Sequence, residues 1–149
     1  MTLLSLTSPM LRFLLFPLIG ILLSVAPAWA EQLRMCRQGE RNTASKTCVV
    51  DGDTLWLRGV NYRLKSFDTP EPQTAICGGQ REVALAHRAS ARLLELLNEN
   101  EWTIETYGLD GTGKRVLATI RLNGRDVGDI LIEEHLARRW PDGEEFWCR

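Results

Sequence analysis

The chain has 149 residues, about one domain's worth, with 44% hydrophobic and 25% charged residues. That composition excludes a disordered chain and a collagen-like repeat. With 18 basic against 19 acidic side chains the formal charge is -1, which excludes a protein that coats nucleic acid by bulk positive charge.

The first 30 residues read as a secretory signal. Arg12 is followed by 18 uncharged residues, Phe13 to Ala30, interrupted by Pro17 and Gly20 and ending in Ala28-Trp29-Ala30, the small-x-small pattern of a cleavage site. An uncleaved membrane anchor is the rival reading, since the run just reaches spanning length. Cleavage after Ala30 removes one basic and no acidic residue, leaving a net charge of -2. The mature protein is then expected to be periplasmic or secreted and free of stable membrane association. Mass spectrometry checks this: the expected mature N-terminus is Glu31, and an intact Met1 in the membrane fraction would contradict it.

Residues 31–46 form a polar, irregular lead-in. Cys36, Cys48, Cys77 and Cys148 all follow the signal, and an even count in an oxidising compartment favours two disulfides. Of three pairings we favour Cys36 with Cys48, closing a short polar loop, and Cys77 with Cys148, pinning the tail to a central loop. A zinc site is disfavoured because no two cysteines have the spacing that brings paired thiolates onto one metal.

Cys48 to Val50 is a short β run, Asp51-Gly52 a turn, and Thr54 to Leu57 a second strand. Arg58-Gly59 turns the chain into a third strand, Val60 to Phe67. Two prolines in Asp68-Thr69-Pro70-Glu71-Pro72 forbid a longer strand, so a loop runs to Gly78-Gly79. Gln80 to Asn98 is helical, with Val83, His87, Ala91, Leu94 and Leu97 spaced along one face. Trp102 to Tyr107 and Arg115 to Arg121 are strands joined through the turn Asp110-Gly111-Thr112-Gly113. After the Asn123-Gly124 turn, a helix from Asp126 to Ala137 carries Val127, Ile130, Leu131 and His135 at helical spacing. Residues 138–149 are a tail. Five short strands with a helix between the third and fourth predict an α+β OB-fold, a five-stranded Greek-key barrel with two or three helices.

Carboxylates gather at the loops, with Asp51 and Asp53 flanking a glycine and Asp68 and Glu71 after the third strand. Such grouping is costly without a cation or basic partner. Hard oxygen donors suit Ca²⁺, and Asp53, Asp68 and the Thr69 carbonyl offer part of a shell. Each group also has a plain reading as a turn. Arg63 lies five residues before Asp68, on the opposite face of a regular strand unless a bulge intervenes.

The runs Val50-Asp51-Gly52-Asp53-Thr54, Arg63-Leu64-Lys65-Ser66-Phe67-Asp68-Thr69-Pro70-Glu71 and Arg115-Val116-Leu117-Ala118 closely resemble the staphylococcal nuclease (thermonuclease) family. The resemblance covers residues 47–137, and the family fold is the OB-fold. It implies that Asp53 and Asp68 bind Ca²⁺ by carboxylate and Thr69 by its carbonyl, with Asp51 close to the metal. It further implies that Glu71 orients or deprotonates the attacking water and that Arg63 and Arg115 hold the scissile phosphate. The expected protein is an exported, Ca²⁺-dependent, monomeric nuclease cleaving DNA or RNA to 3′-phosphates. Where the family has Tyr-Gly before the last arginine this chain has Gly113-Lys114, so Lys114 is an added phosphate contact, and His135 replaces a family glycine. His87 and His135 are read as structural, and Trp102, Trp140 and Trp147 as core or tail anchors rather than base-stacking platforms. The rival class is a non-catalytic OB-fold module binding single-stranded nucleic acid or another anion; a disulfide-held envelope protein with only an interaction role is a third.

Overall fold

A computed structural model describes residues 32–72 and 77–148, and the signal-like segment lies outside the described residues. The lead-in is tethered where the sequence suggests irregular chain. Cys36 is disulfide-bonded to Cys48, the Cys36 amide donates to the Val49 carbonyl at 2.8 Å, and the Val49 amide donates to the Arg34 carbonyl at 2.8 Å.

Three strands follow: β1 (Cys48–Val49), β2 (Thr54–Leu57) and β3 (Val60–Leu64). Arg58 and Gly59 both take positive φ (47° and 78°), as a tight two-residue hairpin requires, and β2 pairs β3 antiparallel. A Cβ at residue 59 would also lie 2.7 Å from the Ala44 Cα, so the lead-in packs against this turn.

The expected strand Val60 to Phe67 is broken. Ser66 has a left-handed φ of 72°, and the chain leaves the first sheet to form β4 (Phe67–Asp68). This break resolves the facing problem noted for Arg63 and Asp68: the regular alternation ends between them, and both side chains arrive on one side.

Helix α1 (Gly79–Glu99) is followed by the hairpin β5 (Trp102–Leu109) and β6 (Val116–Leu122). Strand β6 also pairs parallel to β3, with Arg63 opposite Leu117. The strand order is β1-β2-β3-β6-β5, with the two-residue β7 (Arg125–Asp126) added to β6. The architecture is α+β, a mixed sheet covered by helices, and the strand pairings among the described residues do not close a barrel.

The α1 face differs from its sequence reading. Ala86, Ala89, Ser90, Leu93, Leu96 and Leu97 are buried, whereas His87 and Ala91 are exposed. Small residues let the helix approach the sheet closely, and the more bulky Val83 and Leu94 sit at its margin, half-buried. Leu93 joins Leu55, Leu64, Ile120, Val127 and Leu131 in the core.

Helix α2 (Val127–Glu133) starts with Asp126 as its cap, whose side chain accepts from the Gly128 amide at 2.8 Å. It ends four residues before the expected Ala137. His135 is left-handed (φ 55°), and the Leu136 amide donates to the Leu131 carbonyl at 2.8 Å, the closure that usually places glycine at this position. His135→Gly is therefore expected to stabilise by about 1 kcal/mol by relieving that backbone, a Tm increase of about 4 °C in a thermal melt. No increase would mean that the imidazole contributes an offsetting contact.

The tail then forms β8 (Arg138–Arg139), antiparallel to β4, and a 3₁₀ turn at Phe146–Cys148 with Trp147 buried. Cys148 is bonded to Cys77, so both favoured pairings are present. No helix among the described residues is long and apolar enough to cross a membrane.

Candidate active site

A cleft of about 590 Å³ opens between the end of β3, the β4 loop and the β5–β6 turn. Arg63, Asp68, Glu71, Asp110, Arg115 and Trp140 line it. Four of these were expected from sequence, and three separated segments of chain bring them together.

Asp53 lies behind the cleft, 1% exposed. Its turn is built by short-range bonding: the Asp53 amide donates to Asp51 Oδ1 at 3.1 Å and the Val50 amide to the Thr54 carbonyl at 2.8 Å. Gly52 is needed for close approach, because a Cβ there would lie 2.7 Å from Thr69 Cγ2 and 3.0 Å from the Ala89 Cβ. The plain turn reading of Asp51-Gly52-Asp53 is thus correct, and the same turn also supplies a site carboxylate. The Thr69 amide donates to Asp53 Oδ2 at 3.3 Å, which fixes the buried Thr69 backbone beside that carboxylate.

Arg63 joins the two aspartates. One terminal nitrogen donates to Asp53 Oδ1 and the other to Asp68 Oδ1 at 2.9 Å. Burial pushes the Asp53 carboxyl well above the usual carboxylate range, Asp51 adds to the shift, and Arg63 opposes it. Burial also works against the charge on Arg63, but Asp53 and Asp68 outweigh it and hold the guanidinium above its ordinary value. Glu71, half-buried, is pushed upward by burial and then by Asp51, against Arg63. Four carboxylates, Asp51, Asp53, Asp68 and Glu71, thus stand around two guanidiniums, Arg63 and Arg138.

Carboxylate and carbonyl oxygens are the donor type that a hard cation takes, but the space between Asp53 Oδ1 and Asp68 Oδ1 is held by the Arg63 guanidinium, which pairs with both. The groupings of three or more possible metal ligands among the described residues, Cys36-Glu40-Cys48 and Cys77-Glu145-Cys148, have their sulfurs tied in disulfides and offer no thiolate.

Arg115 is oriented by Asp110, which accepts from its Nε at 2.7 Å. Asp110 also accepts from the Thr112 hydroxyl at 2.7 Å and the Thr112 amide at 3.1 Å. The Thr112 bond, followed by Arg115, holds the Asp110 carboxyl far below its usual range. Lys114 is exposed in this turn and stands outside the cleft lining.

Three further residues belong to the site: Arg138 and Glu82, which were not singled out from sequence, and Trp140, which was given another role. Arg138, 8% exposed, donates to Asp68 Oδ2 from Nε at 3.1 Å, pairs with Glu145 at 2.8 Å and donates to the Gly143 carbonyl at 2.8 Å. Glu82, fully buried in the first turn of α1, accepts from the amides of Gly78 at 2.9 Å, Cys77 at 3.1 Å and Glu71 at 3.5 Å. It ties both ends of the loop that carries Glu71. Trp140, read as an anchor, is instead 55% exposed at the cleft wall.

Arg138→Met should leave Asp68 with one guanidinium instead of two and open the tail. A loss of about 3 kcal/mol is expected from breaking a largely buried pair, read as a lowered urea midpoint; an unchanged midpoint would make the tail independent of Asp68. No protein-family model matches this chain, and no curated protein matches it significantly.

Proposed function

We propose that the protein is an exported, Ca²⁺-dependent nuclease hydrolysing phosphodiester bonds of DNA or RNA on an OB-fold scaffold. The observation that carries this reading is the convergence of Arg63, Asp68, Glu71 and Arg115 on one cleft with Asp53 directly behind. The strand order, with β3 parallel to β6, supports the OB-fold, and two disulfides support export.

Phosphodiester hydrolysis builds charge on the phosphate oxygens. Arg63 and Arg115 are planar, always protonated and able to donate two bonds each, so they stabilise that charge more than the ground state's. Glu71 takes the proton of the attacking water, and its upward shift makes it a better base than a solvated carboxylate. Asp53, Asp68 and the Thr69 carbonyl would hold the Ca²⁺, which supplies further charge stabilisation when bound. Asp110 and Arg138 act through their neighbours, orienting Arg115 and Asp68. All these contacts go to phosphate, so base-specific readout is not expected.

The test is hydrolysis of single- and double-stranded DNA with Ca²⁺ or with a chelator. Cleavage in Ca²⁺ and its loss on chelation are expected. Binding without cleavage by the folded, disulfide-intact protein would favour the non-catalytic module instead.

A further inference from the structure

The cations at the cleft differ in how much charge they have left for a substrate. Arg63 pairs with Asp53 and Asp68, Arg138 with Asp68 and Glu145, and Arg115 with Asp110. Lys65 also lines the cleft, half-buried, yet no carboxylate among the described residues pairs with it. Its Nζ instead lies over the Tyr107 ring, 4.1 Å from the centroid. An aromatic face attracts an ammonium without neutralising it and takes up no strong acceptor bond, so the charge and the three N–H donors stay available to an anion.

The backbone fixes where that charge stands. Lys65 directly follows β3, and its amide donates to the Ala118 carbonyl at 3.0 Å, which continues the pairing of β3 with β6. The side chain then reaches past β6 to Tyr107 on β5. Arg63 and Lys65 are two positions apart, so strand alternation puts both on one side, about 6.6 Å apart along the chain. That separation is comparable to the distance between neighbouring phosphates of one nucleic-acid strand. Lys114, the lysine that the sequence marks for phosphate, lies outside the cleft lining.

We infer that Lys65 binds the phosphate next to the scissile one, so that a strand with two consecutive phosphates is preferred over a single phosphodiester. The inference rests on the nuclease reading for which phosphate is cleaved. The neighbouring phosphate keeps its charge through the reaction, so its contact with Lys65 is equally strong in ground and transition states. Lys65 therefore acts on KM and not on kcat.

The test measures binding apart from cleavage, in a Glu71→Gln background with Ca²⁺. The probes are a thymidine trinucleotide with two charged internucleotide phosphates and the same trimer with one of them replaced by a neutral methylphosphonate. Lys65→Gln is expected to weaken the doubly charged trimer about 10-fold and to leave the methylphosphonate trimer nearly unchanged; Lys65→Arg should retain most of the affinity. The slope of log affinity against log salt should become shallower by about 0.7 for the doubly charged trimer alone, as loss of one phosphate contact requires. In the active background, Lys65→Gln should raise KM for that trimer and keep kcat. Equal weakening of both trimers, no weakening of the doubly charged one, or no binding of it at all would overturn the assignment. Binding of the second phosphate that depends on Lys65, without hydrolysis by the Glu71 protein, would instead overturn the nuclease reading and leave the phosphate site standing.

Discussion

Glu71→Gln is expected to lower turnover by two or more orders of magnitude, about the effect of removing a single group that acts mainly in a transition state. The substitution keeps size and shape but removes the proton acceptor. Glu71 is half-buried, and the bond that fixes its segment runs from its amide to Glu82 at 3.5 Å, so the fold should be untouched. Removing one acid from a cluster with excess negative charge should if anything raise the Tm slightly. A second signature is the pH profile. Glu71 works as a base only when ionised, and burial and Asp51 raise its folded-state value. Activity is therefore full above that raised value and falls as pH drops through it, giving an acid limb shifted upward from that of a solvated glutamate. Glu71→Gln should abolish that limb as well as the rate. Wild-type rates in a folded Glu71→Gln protein would end this mechanism.

Arg63→Ala makes a poorer mechanistic test. Arg63 bonds both Asp53 and Asp68, so its loss leaves a carboxylate buried beyond water's reach and unpaired. Loss of activity could then follow from loss of fold. Arg115, whose partner Asp110 is held by Thr112 as well, is the safer phosphate-side substitution.

What was legible in the sequence follows from the range of the interactions. Turns and caps are local, so Arg58-Gly59 and Asn123-Gly124 announced their turns, each with positive φ at both residues, while the two-residue strand β7 after the second was not foreseen. The cysteine pairing was legible because few pairings exist. Strand continuity past Leu64 was not, since Ser66 carries no obvious breaker chemistry and its left-handed φ serves the later pairing of β4 with β8. The α1 register misled because Val83 and His87 looked apolar-facing, while the sheet selects the small Ala86, Ala89 and Ser90. Arg138 reaches Asp68 across 70 positions, and no local pattern encodes that contact. Glu82 resembled an ordinary acidic first-turn residue, and its burial under the Glu71 loop is a tertiary fact. Trp140 looked like a core or tail anchor by composition alone; its place in the turn just after β8 leaves it exposed.

Removing the Cys77–Cys148 disulfide by paired serine substitution should destabilise the fold by about 4 kcal/mol, against about 3 kcal/mol for the Cys36–Cys48 pair, because chain entropy lost from the unfolded state grows with the loop closed. The loops differ widely, with separations of 71 and 12 residues. Entropy is only part of the expected effect. The longer loop begins beside Glu71 and ends at the tail, where Trp147 is buried and its carbonyl crowds Gly78 so closely that a Cβ would lie 2.0 Å away. Cys77 also donates its amide to Glu82, which holds the other end of the Glu71 loop. Opening this bond therefore loosens the general base and the Arg138 tail together, whereas opening the first affects the lead-in. Urea unfolding of the two double variants checks the order, and activity measured well below their midpoints checks the coupling. The Cys77–Cys148 variant should lose turnover while still folded; the Cys36–Cys48 variant should keep it. Equal activities would mean that Glu82 and the Arg138–Asp68 pair position the loop and the tail without the covalent tie.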